Sequence, residues 1–124
     1  VAEEAKQPDT GDLVVSVASP VRGITVLHVS GDIDMLTAPM LVEHVRTQLS
    51  GGQPLRSLVI DLTDVTFLGS AGIAVLAETH HMATGAAVAV RVVAPSRTVL
   101  RPLQVTGVDQ LLTIVDDVDT AMAE

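Results

Sequence analysis

The side chains with chemical potential gather in one stretch, Asp61-Leu62-Thr63-Asp64-Val65-Thr66-Phe67-Leu68-Gly69-Ser70-Ala71-Gly72-Ile73. An apolar run gives way to polar residues, and Ser-x-Gly then opens a helical pattern. This order places the Ser70 hydroxyl at a helix N-terminus beyond the carboxyl end of a buried strand, the edge where open α/β sheets usually bind ligands and partners. Unpaired amide N–H groups and the helix dipole favour a phosphate there. Ala71 and Gly72 are small, so another protein surface can approach Ser70 closely. Taken alone, Ser70 reads as an ordinary helix N-cap.

The other candidates are weaker. Asp61 and Asp64 form a carboxylate pair of the kind used for metal or acid–base work. No histidine accompanies them at a suitable spacing, so hydrogen bonding at a strand end is the expected role. Asp32 and Asp34 suit a turn, as do the hydroxyls of Thr63 and Thr66. His80 and His81 are neighbours on a helix and point about 100° apart, a poor arrangement for one shared ion. His28 and His44 fall on other elements. Gly69 and Gly72 do not make a phosphate-binding glycine motif. With no cysteine, thiolate chemistry and disulfides are excluded. No nucleophile–base pair or cofactor fingerprint emerges, so the expectation is a non-enzyme without cofactor or metal.

These side chains need elements to hold them. Residues 13–18 and 24–29 read as strands joined by a turn at Pro20 and Gly23, the second ended by Ser30-Gly31. Thr37 is a candidate N-cap and Pro39 fits a first helical turn. Leu41, Val42, Val45 and Leu49 then recur at helical spacing up to Gly51-Gly52. Residues 58–62 make a third strand, apolar throughout as if covered on both faces. A helix over 70–84 with Gly85 as its C-cap follows, then a strand over 87–93 and a helix from Pro95-Ser96 to near Gly107. A strand over 111–115 and a short helix over 117–124 complete the pattern. The alternation predicts an α/β fold: a mostly parallel sheet of about five strands, its first strand an antiparallel edge, with helices mainly on one face.

The composition narrows the partners. In 124 residues there are 15 Asp and Glu against 7 Lys and Arg, a formal net charge of -8. Such a chain is repelled by nucleic acid and by anionic membranes and is suited to a partner with a basic face. Phe67 is the sole aromatic residue, so platforms for base stacking are missing. No segment has the roughly 18 consecutive apolar residues of a membrane helix. Residues 1–12 are polar and acidic, unlike a secretory signal. They read as a flexible tail ahead of a single domain over 13–124, in a protein expected in the cytoplasm.

The stretch around Ser70 resembles the STAS family, whose signature there reads Asp-Leu-Ser-x-Val-x-Phe-Met-Asp-Ser-Ser-Gly-Leu. Asp61, Leu62, Val65, Phe67, Ser70, Gly72 and Ile73 match it. Gly31-Asp32-Ile33-Asp34 with Thr37-Ala38-Pro39, and Thr106-Gly107-Val108-Asp109, match two further family segments, so the resemblance spans about residues 13–120. It departs at Gly69, where the family usually has Asp, and at Ala71, normally Ser or Thr. The resemblance implies a bacterial anti-sigma factor antagonist. Such a domain binds an anti-sigma factor of the serine-kinase type and frees a sigma factor, until phosphorylation at the position of Ser70 releases it. It implies partner contacts at Asp32, Asp34, Thr37, Thr66, Leu68, Gly69, Ser70, Ala71 and Gly72, with Asp34 orienting the hydroxyl or the partner. A STAS-type sensor of a small molecule or nucleotide near the same loop is the alternative, and an enzyme of unknown reaction comes last.

Overall fold

Runs of Val, Leu and Ile at the middle of the chain form strands too apolar to face water, and the structure covers them on both sides. A computed structural model describes residues 13–52 and 54–123; the expected tail over 1–12 lies outside the described residues. The elements are β1 (Val14–Val21), β2 (Ile24–Ile33), α1 (Ala38–Leu49), β3 (Ser57–Leu68), α2 (Ser70–Gly85), β4 (Ala89–Val93), α3 (Arg97–Thr106), a 3-10 turn (Val108–Gln110), β5 (Thr113–Val115) and α4 (Val118–Ala123). They form one five-stranded sheet in the order β1-β2-β3-β4-β5. β1 runs antiparallel to β2, and every other neighbouring pair is parallel.

Each helical crossover steps one strand further in the same direction, so right-handed connections bring α1, α2 and α3 to one face. There Leu41 and Val45 of α1, Val75 and Leu76 of α2, and Val99 and Leu103 of α3 pack on Leu27, Val29, Leu58, Ile60 and Leu62. The strand residues between them point the other way. Ile24, Val26, Val59 and Val93 form a smaller cluster closed by Ala121 of α4. No helix among the described residues is long and apolar enough to cross a membrane.

Several expected boundaries shift. β2 does not stop at Ser30-Gly31 but continues to Ile33, because Gly31 adopts φ 103° and the pairing register shifts on either side of it. β3 likewise runs on to Leu68, following β2 beyond residue 62. Gly85 is the last residue of α2 and not its cap, a place taken by Ala86. β5 starts at Thr113, since residues after the left-handed Gly107 first wind into the 3-10 turn. Thr37 occupies the N-cap position of α1 without a capping hydrogen bond from its side chain.

Candidate functional site

The strand extensions position the site. Paired out to Ile33 and Leu68, β2 and β3 end side by side, and the Gly69 N–H extends the ladder by donating to the Ile33 carbonyl at 2.9 Å. The chain then turns into α2 with Gly69, in extended backbone, as the N-cap. The first helical bond comes from the Ile73 N–H to the Gly69 carbonyl at 3.1 Å. Ser70 is thus the first helical residue and not the cap. Its side chain is exposed and bonds to no other described residue. The capping role that would have explained it does not apply.

Gly72 explains the Ser-x-Gly spacing. A Cβ at this buried position would stand 2.6 Å from both Ile33 Cγ2 and Leu68 Cδ1. Only a bare backbone lets the first turn of α2 lie this close to the strand ends. Leu68 and Gly72 are therefore buried beneath the surface, where they set the height of Ser70 without being open to a partner. At Gly69 the nearest atom to an added Cβ is Phe67 Cε2 at 3.0 Å. The absence of a side chain at 69 lets the half-exposed Phe67 ring fold over the loop.

The facing loop is built on Asp34. One of its carboxylate oxygens accepts the N–H groups of Leu36 and Thr37 at 2.9 and 3.0 Å. The Thr37 hydroxyl accepts the Asp34 N–H at 2.9 Å and donates to the Asp32 carbonyl at 2.8 Å. Asp34 thus serves its own turn, in the manner common for Asp, and its carboxylate has no bond to Ser70. With the polar groups tied inside, Met35 and Leu36 are thrust into water at 81% and 89% exposure. Met40 on α1 and Phe67 on β3 are also exposed. A cluster of bared large apolar side chains at one end of a sheet is the mark of an interaction surface. Thr66 donates to Asp32 at 2.6 Å, cross-linking the two loops.

One arrangement escapes a reading of the sequence. Parallel pairing sets His28 of β2 opposite Asp61 of β3. Its Nδ1 lies 2.8 Å from Asp61 Oδ2 and its Nε2 2.8 Å from Asp64 Oδ2. A neutral imidazole has one N–H, so satisfying both carboxylates requires the doubly protonated ring. The hydrogen bond to Asp61 raises the His28 pKa most, burial opposes it, and the bond to Asp64 and the charges of both carboxylates add to the rise. Neither strand taken alone signals this contact, which exists only once the two are paired in register. Asp61 also accepts the Thr63 N–H and hydroxyl at 3.1 and 2.5 Å. His80 and His81 only touch edge-on, their ring centroids 5.5 Å apart. No group of metal-ligating side chains occurs among the described residues.

A raised pKa in the folded chain means stability that is complete below the unfolded value near 6.5 and lost as pH climbs through the folded one. We expect the wild type to exceed His28→Gln in stability at pH 6 and to lose most of that margin by pH 9. The ring is partly exposed, so the margin should be only about 0.5–1 kcal/mol. Urea midpoints at the two pH values check this; a margin that grows towards pH 9 contradicts the imidazolium clamp.

Comparison with known proteins adds to the geometry. Residues 16–121 match the STAS domain family. The anti-sigma-F factor antagonist RsfB of Mycobacterium tuberculosis strain H37Rv is 34% identical over 115 residues, spanning 93% of this chain and 89% of RsfB. The crystal structure of an anti-sigma factor antagonist from Mycobacterium paratuberculosis superposes with a TM-score of 0.82 at 32% identity, covering 94% of this chain and 97% of that one. The phosphorylated form of the Bacillus cell fate determinant SpoIIAA gives a TM-score of 0.68 at 14% identity, over 89% of this chain and 97% of that one, a likeness of fold alone.

Proposed function

This chain belongs to the STAS domain family, and from that premise we propose that it is an anti-sigma factor antagonist switched by phosphorylation of Ser70. The unmodified protein binds an anti-sigma factor of the serine-kinase type and so frees a sigma factor. It acts by binding and not by catalysis, as a cytoplasmic protein whose functional unit is one domain over 13–124. The mycobacterial relatives, 34% and 32% identical to this chain, are named as anti-sigma factor antagonists, which supports the partner class. The observation that carries the switch is the Ser70 hydroxyl, exposed and without a bonding partner among the described residues, at the end of the sheet that also bares Met35, Leu36, Met40 and Phe67.

The physical sequence is short. The exposed apolar residues and the small Ala71 accept the partner's surface, while Leu68 and Gly72 support it from below. Asp32, Asp34, Thr37 and Thr66 hold the two loops in shape, and the acidic balance of the chain favours a basic partner face. A phosphate on Ser70 adds about -1.5 to -2 charges and three acceptor oxygens. The Ser70, Ala71 and Gly72 amides precede the first helical hydrogen bond, so a phosphate is tolerated by the free protein. In the complex it meets a closely fitted apolar contact, and the partner leaves.

Incubation with the cognate anti-sigma kinase and ATP, followed by peptide mass spectrometry, is expected to find one phosphate, on Ser70. Modification elsewhere, or none, refutes the switch while leaving the binding role to be judged by co-purification with the kinase.

A further inference from the structure

A cavity of about 1210 Å³ opens at the amino-terminal ends of β2 and β3, the opposite end of the sheet from Ser70. Its polar side chains are Arg22 and Arg56, the amide of Gln48 and the hydroxyls of Ser19, Thr25 and Thr47, each of which can donate a hydrogen bond. Among the described residues no Asp or Glu lines it, although acidic residues outnumber basic ones by 15 to 7 in this chain. The Gly23 carbonyl accepts the N–H groups of Arg56 and Ser57 at 2.9 and 3.1 Å, tying the Arg22-Gly23 turn to the start of β3. The Arg56 side chain lies across this turn, with Nε 3.2 Å from where a Cβ of Gly23 would be.

Neither arginine forms an ion pair or side-chain hydrogen bond with another described residue. Arg46, by contrast, is engaged by Glu43 and Glu78, each at 3.6 Å. Thr25 is only 6% exposed, and its hydroxyl likewise has no partner among the described residues. Both guanidinium groups line the cavity without a described counter-charge. An anion with several oxygens supplies that charge and accepts charge-assisted, forked hydrogen bonds.

We propose that this cavity is a binding site for a small phosphate-bearing anion of the pyrophosphate class, held by Arg22 and Arg56 with Thr25 as a further donor. The site is independent of the Ser70 switch and stands or falls without it. The anion sits at the turn that joins β1 to β2 and at the root of β3, the strand that leads to Ser70.

Isothermal titration calorimetry of the whole chain with inorganic pyrophosphate tests the assignment. A saturable heat is expected, with affinity at least tenfold weaker in Arg22→Gln and in Arg56→Gln. Arg97→Gln, which removes the same charge from an exposed position on α3, should bind as the wild type does. Circular dichroism confirms that these surface variants remain folded. A nucleoside diphosphate binding more tightly than pyrophosphate identifies a nucleotide as the source of the phosphates; equal affinity identifies the free anion. Absence of saturable binding, or an equal loss in all three variants, overturns the proposal.

Discussion

Ser70→Asp is expected to weaken binding to the anti-sigma partner about 100-fold, while Ser70→Ala stays within about threefold of the wild type. A hundredfold loss corresponds to about 2.8 kcal/mol, within the cost of leaving a charge unpaired in a desolvated contact. Alanine removes a hydroxyl that bonds to no described residue, so the surface loses little. The same aspartate has the opposite effect on folding. It stands in the first turn of α2, where a negative charge interacts favourably with the helix dipole by about 0.3–1 kcal/mol. The variant should therefore bind poorly yet melt no lower than the wild type. Calorimetric titration and a thermal scan on one preparation separate the two effects. Equal affinity of Ser70→Asp and wild type would remove the charge switch; a lowered melting point would show that lost structure had been mistaken for lost recognition.

The second large effect is on stability. Gly72→Leu must force branched atoms into space where even a Cβ approaches Ile33 and Leu68 to 2.6 Å. Overpacking of this kind usually costs about 1–3 kcal/mol, and the strand ends here leave little room to yield. A fall in melting temperature of about 10 °C is expected for a chain of this size. Gly72→Ala should cost less, because a gain of about 1 kcal/mol in helix propensity offsets part of the clash. Gly85→Ala is the control: nothing lies within 4 Å of the new Cβ, so it should be neutral or slightly stabilising. If Gly72→Leu melted with the control, Gly72 would not be what seats α2 on the strand ends.

The order of strands and helices was legible because each buried element carries its own periodicity. The apolar run of β3 and the spacing of Leu41, Val45 and Leu49 on α1 suffice to identify them. Ser70 was legible for the same reason, since a strand followed by Ser-x-Gly defines a helix start locally. Two features depended on register between distant segments and could not be read from either segment alone. The clasp of His28 by Asp61 and Asp64 exists only once β2 and β3 are aligned. The length of β2 beyond Gly31 depends on that same neighbour, which holds the strand extended where local turn chemistry suggested a stop. Asp34 shows the converse: its proximity to the site was foreseen, but its hydrogen-bonding capacity is directed to the neighbouring backbone.

The two outer strands offer little main chain for another strand to pair with. β1 carries Pro20, which offers no N–H, and its pairing is irregular between Ala18 and Val21; β5 spans only Thr113–Val115. Unpaired main chain on an outer strand is a template for fibre-like aggregation, and a proline, an irregular stretch or extreme shortness blunts it. Crowded molecules therefore find little ladder to extend.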